Sequence, residues 1–283
     1  MRGRAAALGA GTVLNALSTG VGAAFAIDVE TTATVELDGS GGVTGTVAGV
    51  DDADTRLIER CVELATDAYG DGDVSGGTVE TESDVPMAAG LKSSSAAAHA
   101  TVLAPADALG ADPDPLPACR LGVRAAREAG VTVTGAFDDA SASMLGGVTV
   151  TNNDEDDLLA REEVAWDVLV WTPAERAYSA DADVERCANV APVAELVADL
   201  ALEGRYARAM TVNGLAFSAA LGFSLEPAVE AMPHAAGVSL SGTGPSVVAV
   251  GEGDALDAVA ELWRERSGRI RRTTTRTDGA HIL

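Results

Sequence analysis

Among nineteen basic side chains the sequence holds a single lysine, Lys92; the other eighteen are arginines. It stands in the run Pro86-Met87-Ala88-Ala89-Gly90-Leu91-Lys92-Ser93-Ser94-Ser95-Ala96, where a proline and glycine turn leads into three hydroxyls and then an alanine-rich stretch. That order places Lys92 and the three serines at the start of a helix, whose free N–H groups and positive dipole end favour an anion. A lysine at such a place costs helix stability by charge–dipole repulsion unless a negative ligand sits there too. A plain serine-capped helix would need only one hydroxyl. The hydroxyl triplet and the lone lysine therefore point to phosphate binding. The spacing of a Walker-type P-loop, with glycine five residues before Gly-Lys-Ser/Thr, is absent.

A second segment reads Gly135-Ala136-Phe137-Asp138-Asp139-Ala140-Ser141-Ala142-Ser143-Met144-Leu145-Gly146-Gly147. Two carboxylates at the start of a short helix can simply cap it. Facing a bound phosphate they could instead accept a proton from a substrate hydroxyl or help hold Mg²⁺, the positioning and neutralising roles of phosphoryl transfer. A third segment, Val238 to Val250, carries Gly242, Thr243 and Gly244 between two apolar runs. Glycines there admit a close backbone approach to a ligand, or merely a tight hairpin.

The elements that must carry these residues alternate in kind. Strands fit Thr31–Leu37, Val43–Val47 and Gly77–Glu82, read as short antiparallel strands separated by glycine-rich turns. Helices fit Asp54–Tyr69, whose apolar residues Leu57, Ile58, Cys61, Val62, Leu64 and Ala65 share one face, then about Ser94–Leu109, Leu116–Ala129 and Asp139–Leu145. A strand Val148–Thr151 precedes the acidic run Asp154 to Asp157, a solvated loop. Beyond it the pattern restarts with strand Asp167–Trp171, two or three helices between Val184 and Leu221, strands Val238–Ser241 and Ser246–Val250, helix Ala255–Ser267 and strand Arg269–Thr275. This is an α+β chain of two domains, 1–160 and 161–283. The uncharged stretch 5–27 is interrupted by Gly9, Gly11, Gly20 and Gly22, so it reads as a buried strand and loop and not as a signal peptide or membrane span.

With 283 residues, 47% of them hydrophobic, the chain can bury a sizeable core. Its net charge of −24 repels phosphate-coated surfaces, which argues against nucleic-acid and anionic-membrane partners. An acidic, lysine-poor composition with 4% aromatics reads as adaptation to concentrated salt. Cys61, Cys119 and Cys187 are widely spaced and form neither a disulfide framework nor a zinc motif, which fits a reducing cytoplasm. His99, His234 and His281 are isolated and are assigned no chemistry.

In this order the segments resemble the GHMP kinase superfamily of galactokinase, homoserine, mevalonate and phosphomevalonate kinases. Pro86-x-x-x-Gly90-Leu91-x-Ser93-Ser94 matches its phosphate-loop motif, Ser241-Gly242-x-Gly244-Pro245-Ser246 its third motif, and Gly9 to Asn15 stands where the first belongs. Within it the chain is most similar to the archaeal-type shikimate kinases, through Gly90-Leu91-Lys92-Ser93-Ser94-Ser95-Ala96, Phe137-Asp138-Asp139-Ala140 and Gly11-Thr12-Val13-Leu14-Asn15-Ala16. The resemblance implies a ribosomal-S5-like N-terminal half and a ferredoxin-like C-terminal half. It also implies ATP-dependent phosphorylation of the 3-hydroxyl of shikimate, with ATP along Pro86 to Ala96 and Ser94 as a Mg²⁺ ligand. Mevalonate-kinase spacing puts Asp139 in the place of the catalytic aspartate; homoserine-kinase spacing puts Asp138 there. Thr12 stands where mevalonate kinases carry a lysine, a charge Lys92 can replace. Asn15 and Thr243 are candidate substrate contacts because they lie in matched motifs. The alternatives are a homoserine or mevalonate kinase, or a non-catalytic ATP- or metabolite-binding relative. The acceptor's carboxylate reader and the oligomeric state are left open.

Overall fold

The computed structural model describes residues 1–72, 74–86, 89–132, 135–174 and 183–283; Met87 and Ala88 of the phosphate-loop run lie outside them. β1 (Arg2–Leu14) and β2 (Val21–Asp38) form a long antiparallel hairpin, and the uncharged stretch at its start becomes two facing strands. Residues 5–16 and 22–27 are buried without alternation, as strands covered on both faces must be. From Val29 onward β2 alternates between buried and partly exposed positions, so only one of its faces is covered there.

β2 is the spine of the first sheet. Its first half, Val21 to Phe25, pairs with β5 (Val148–Asn152), and Thr31 to Asp38 pairs with β4 (Gly76–Ser83). β3 (Val43–Val47) lies parallel to β4, not antiparallel as the strand pattern suggested. The cause is α1 (Arg56–Tyr69), which crosses over between them and returns the chain in its original direction. Two strands escape the sequence reading. β6 (Asp157–Glu162) emerges from the acidic run and pairs with β5 with most of its side chains in solvent, and β11 (His281–Ile282) is a two-residue strand against Ala5 and Ala6 of β1.

α2 (Ser93–Leu109), α3 (Pro115–Glu128) and α4 (Phe137–Leu145) cover this sheet together with α1, with Val35, Cys61, Val62, Val102, Cys119 and Phe137 in the core between them. The second sheet has the order β10-β7-β9-β8, from β7 (Asp167–Thr172), β8 (Gly237–Leu240), β9 (Val247–Gly251) and β10 (Arg269–Thr274). Around it lie α5 (Val184–Ala188), α6 (Ala191–Leu202), α7 (Tyr206–Leu221), α8 (Glu226–Ala231) and α9 (Gly253–Arg264). The two sheets share one apolar layer: Phe25 and Ile27 of β2 pack in a cluster with Val168 of β7 and Met210 and Phe217 of α7. The Phe25 and Trp166 rings meet edge to face at 5.7 Å.

After β10 the chain returns to the first sheet. Arg276 pairs with Asp28 at 2.9 Å and Glu30 at 3.1 Å, and Ala280 N–H donates to the Met144 carbonyl near the end of α4. The three cysteines are buried and unpaired. No helix among the described residues is long and apolar enough to cross a membrane.

Candidate active site

Two helices begin at one cavity. α2 is entered through Lys92 (φ 65°, ψ 35°) and α4 through Ala136 (φ 51°, ψ 38°), both left-handed, and neither of these two residues caps its helix with its own side chain. Ser93, Ser94 and Ser95 therefore stand at the positive end of α2 with the Lys92 side chain occupying none of its open N–H groups. The cavity in front of them has a volume of about 660 Å³, within the range of small-molecule sites. Gly90, Lys92 and the three serines line it. Ala89, Leu91 and Ala96 of the same run are buried beneath the loop, and Pro86 is not part of the wall.

The loop is held from two sides. Ala10 N–H of β1 donates to the Leu91 carbonyl at 3.2 Å. The Ser241 hydroxyl donates to the Gly90 carbonyl at 2.8 Å, across 151 residues of sequence. Gly90 (φ 77°) has room for no side chain, because a Cβ there would collide with the Ser241 carbonyl. The first and third motifs are joined in turn: Gly242 N–H donates to Thr12 Oγ1 at 2.7 Å, and Asn15 Nδ2 donates to the Gly242 carbonyl at 2.8 Å. The glycines after β8 thus serve the loop contact and are more than a hairpin turn. Thr12, Asn15, Gly242 and Thr243 all line the cavity. The Asn15 amide is already committed within the protein, since its Oδ1 also accepts from Leu17 N–H at 2.9 Å.

Lys92 Nζ lies 2.8 Å from Asp139 Oδ1, with 7% and 17% of the two side chains exposed. The negative charge that a lysine at the start of α2 requires is therefore supplied by the chain itself. Phe137, fully buried, anchors the first turn of α4 and sets the two aspartates behind it. Asp138 also lines the cavity, and its carboxyl bonds to Asn153 just after β5. Its Oδ1 accepts from Asn153 Nδ2 at 2.7 Å, and its N–H donates to Asn153 Oδ1 at 3.0 Å. Thr151 Oγ1 donates to the same Asn153 oxygen at 2.8 Å. Burial first, and the charge of Asp139 second, push the Asp138 carboxyl up to about 7, against the opposing pull of Lys92 and the Asn153 bond.

Apolar walls come from Val47, Val50 and Ala53 in β3 and the β3–α1 connection and from Val123, Ala126 and Val131 in α3 and its end, with Asp54 and Arg56 lining the cavity beside the first group. His99 also lines the cavity, but its ring is buried, with Nε2 3.3 Å from the Cys119 carbonyl, and burial lowers its pKa to about 4. It is neutral at pH 7 and adds no charge to the site. Two polar residues that matter here escape the sequence reading. Asn153 is masked by the acidic run beside it. Asn213 is an asparagine inside an otherwise apolar face of α7, and that isolation was the available signal.

A profile described as the GHMP kinases N terminal domain matches residues 56–147. A shikimate kinase of Halobacterium salinarum is 64% identical over 99% of both chains, and one of Methanothrix thermoacetophila is 51% identical over 100% of this chain and 96% of that one. Among solved structures, homoserine kinase from Cytophaga hutchinsonii superposes with a TM-score of 0.78 at 17% identity, covering 100% of this chain and 97% of that one. Methanococcus jannaschii mevalonate kinase does so with a TM-score of 0.75 at 13% identity over 97% of each chain.

Proposed function

Since the chain belongs to the shikimate kinase family within the GHMP kinases, we propose that it transfers the γ-phosphoryl group of ATP to the 3-hydroxyl of shikimate, giving 3-phosphoshikimate and ADP. Identity of 64% along the whole length to a shikimate kinase supports the acceptor. The observation that carries the mechanism is the Lys92–Asp139 ion pair at the open start of α2, inside a cavity with polar and apolar walls.

The apolar walls suit the adenine ring, and the triphosphate runs from them toward Ser93, Ser94 and Ser95, whose N–H groups receive the β- and γ-phosphates. The Lys92 ammonium stands between that helix start and Asp139, where it offsets charge on the transferred group. Asp139 orients the acceptor hydroxyl for in-line attack and takes its proton as the new O–P bond forms and ADP leaves. Thr243 and Asn15 line the same cavity, which supports them as neighbours of the acceptor. Asp138 acts as the buried carboxyl beside Asp139 that holds the first turn of α4 to Asn153.

No group of three or more His, Cys, Asp or Glu among the described residues gathers as a metal cage. That fits Mg²⁺ arriving with the nucleotide, since this ion keeps waters and takes only one or two protein oxygens beside phosphates. The exposed Ser94 hydroxyl and Asp139 are the oxygens within the cavity that would meet it, and the ion supplies charge neutralisation to the phosphates. The chain's acidity and its Halobacterium relative support a salt-loving archaeal source, and the unpaired cysteines suit the cytoplasm.

The test is ADP release with Mg²⁺-ATP in multimolar KCl, offering shikimate, homoserine and mevalonate in parallel. Turnover with shikimate alone is expected. Turnover with another acceptor and not with shikimate would overturn the substrate, and silence with all three in a folded sample that binds ATP would leave a binding protein. Asp139→Asn is expected to lose about 100-fold or more in turnover.

A further inference from the structure

We propose that Asn213 on α7 is a positioning residue for phosphoryl transfer, setting the height of the Gly242 backbone against which the Lys92 ammonium rests. This deepens the kinase reading above and rests on it. Asn213 is fully buried and is not among the residues lining the cavity, so it touches neither substrate. A buried amide is costly unless both its ends are satisfied, and here the two ends point in opposite directions. Its Oδ1 accepts from Asn15 N–H at 2.9 Å, at the end of β1. Its Nδ2 donates to Ser239 Oγ at 2.9 Å, and that hydroxyl donates to the Leu240 carbonyl at 2.9 Å, in β8.

Both branches converge on one residue. From the first, Asn15 Nδ2 holds the Gly242 carbonyl at 2.8 Å; from the second, β8 ends at Leu240, and the chain passes through Ser241 alone to reach Gly242. Gly242 N–H is meanwhile fixed to Thr12 Oγ1 at 2.7 Å. Gly242 (φ 58°) is in turn a wall for Lys92: a Cβ on it would lie 2.8 Å from Nζ. The ammonium is thus confined between Asp139 and a glycine whose carbonyl and preceding strand are tied, through one residue each, to Asn213, while its N–H is held separately by Thr12. An asparagine can accept from β1 and donate to β8 at once. Alanine does neither, whereas an aspartate kept protonated by full burial accepts from Asn15 N–H and donates its carboxyl proton to Ser239 Oγ, leaving the Leu240 bond in place.

The experiment measures steady-state kinetics and thermal melting in multimolar KCl for the parent protein, Asn213→Ala, Asn213→Asp, Asn15→Ala and the Asn213→Ala/Asn15→Ala double variant. Parent turnover with shikimate comes first; its absence would remove the kinase reading and not the network. With an active parent, Asn213→Ala is expected to lower kcat by about 10- to 100-fold, the scale of a misplaced reacting group, with KM for ATP within about twofold. Asn213→Asp should recover most of that loss. The double variant should be little worse in kcat than the poorer single variant, because the two residues act in one chain. Unchanged kcat in folded Asn213→Ala overturns the proposal. So does multiplicative loss in the double variant, or a fall in kcat that follows melting temperature equally in the Ala and Asp variants. Should Asn213→Ala not fold, Asn213→Asp decides: a folded Asp variant with turnover reduced about 10-fold or more overturns it.

Discussion

Successive residues of an α-helix point about 100° apart, and that angle separates Asp138 from Asp139. One faces the Lys92 ammonium in the cavity; the other is locked to Asn153 against β5. The adjacent pair was legible in the sequence, but the division of labour was not, because it depends on where Phe137 anchors the helix and on an asparagine that is distant in pattern. The burial that raises Asp138 to about 7 makes a pH prediction. An unfolded aspartate ionises near ~3.9, so between about pH 4 and 7 the folded chain holds a proton that the unfolded chain has lost. Folding stability contributed by this residue is therefore fully present at low pH and lost as pH rises toward 7. Asp138→Asn cannot ionise and escapes that loss. Its melting temperature relative to the parent should rise between pH 5 and pH 8, when both are followed by circular dichroism in the same KCl. A gap that stays constant with pH would show that the parent carboxyl is not buried as described.

At the scale of elements, the start of α2 carries the most consequence. Its position was readable to within one residue, as were α3, β5 and the strands of the second sheet, and α1 to within two, because apolar periodicity and glycine stops mark them. The left-handed turn at Lys92 was not readable, since nothing about lysine favours positive φ. β6 and β11 were missed for a different reason: they hold their places by backbone pairing with almost no buried side chains, and so leave no periodic trace. Forcing a side chain into the left-handed region costs about 1 kcal/mol or more. Lys92→Gly and Lys92→Ala both delete the ammonium and the ion pair, but only Ala keeps the strain. Both should fall in turnover by about 100-fold. Lys92→Gly should nevertheless unfold at higher temperature than Lys92→Ala, by the equivalent of about 1 kcal/mol. Equal melting temperatures would place the φ of this residue outside the left-handed region, and wild-type turnover in either variant would remove Lys92 from the mechanism.

Across the whole molecule, 43 acidic and 19 basic side chains leave a charge that opposes compaction. Exposed ion pairs such as Arg56–Asp54 and Arg124–Glu128 contribute little and weaken in salt. Repulsion among unpaired carboxylates reaches further and is the stronger of the two forces that salt screens, with the Debye length falling from ~10 Å at 0.1 M to ~3 Å at 1 M. The melting temperature and the fraction of active protein should therefore rise together between dilute buffer and multimolar KCl. A fall in melting temperature on adding KCl would mean that the ion pairs outweigh the repulsion. The charge imbalance behind this prediction was legible in composition, whereas the sharing of one core by two sheets through Phe25, Trp166 and Phe217 needed the structure.

The bond between Asn15 and Gly242 joins residues 227 apart in the chain. A ribosome adding ~5–20 residues per second takes on the order of 10 to 45 seconds to cover that distance. Once α4 has been added, the nascent polypeptide holds a first strand, a phosphate loop and an acidic helix with no third motif yet made to close them. Phosphoryl transfer therefore begins as a late event of synthesis, after residue 242 has emerged and β8 has found its place beside α7.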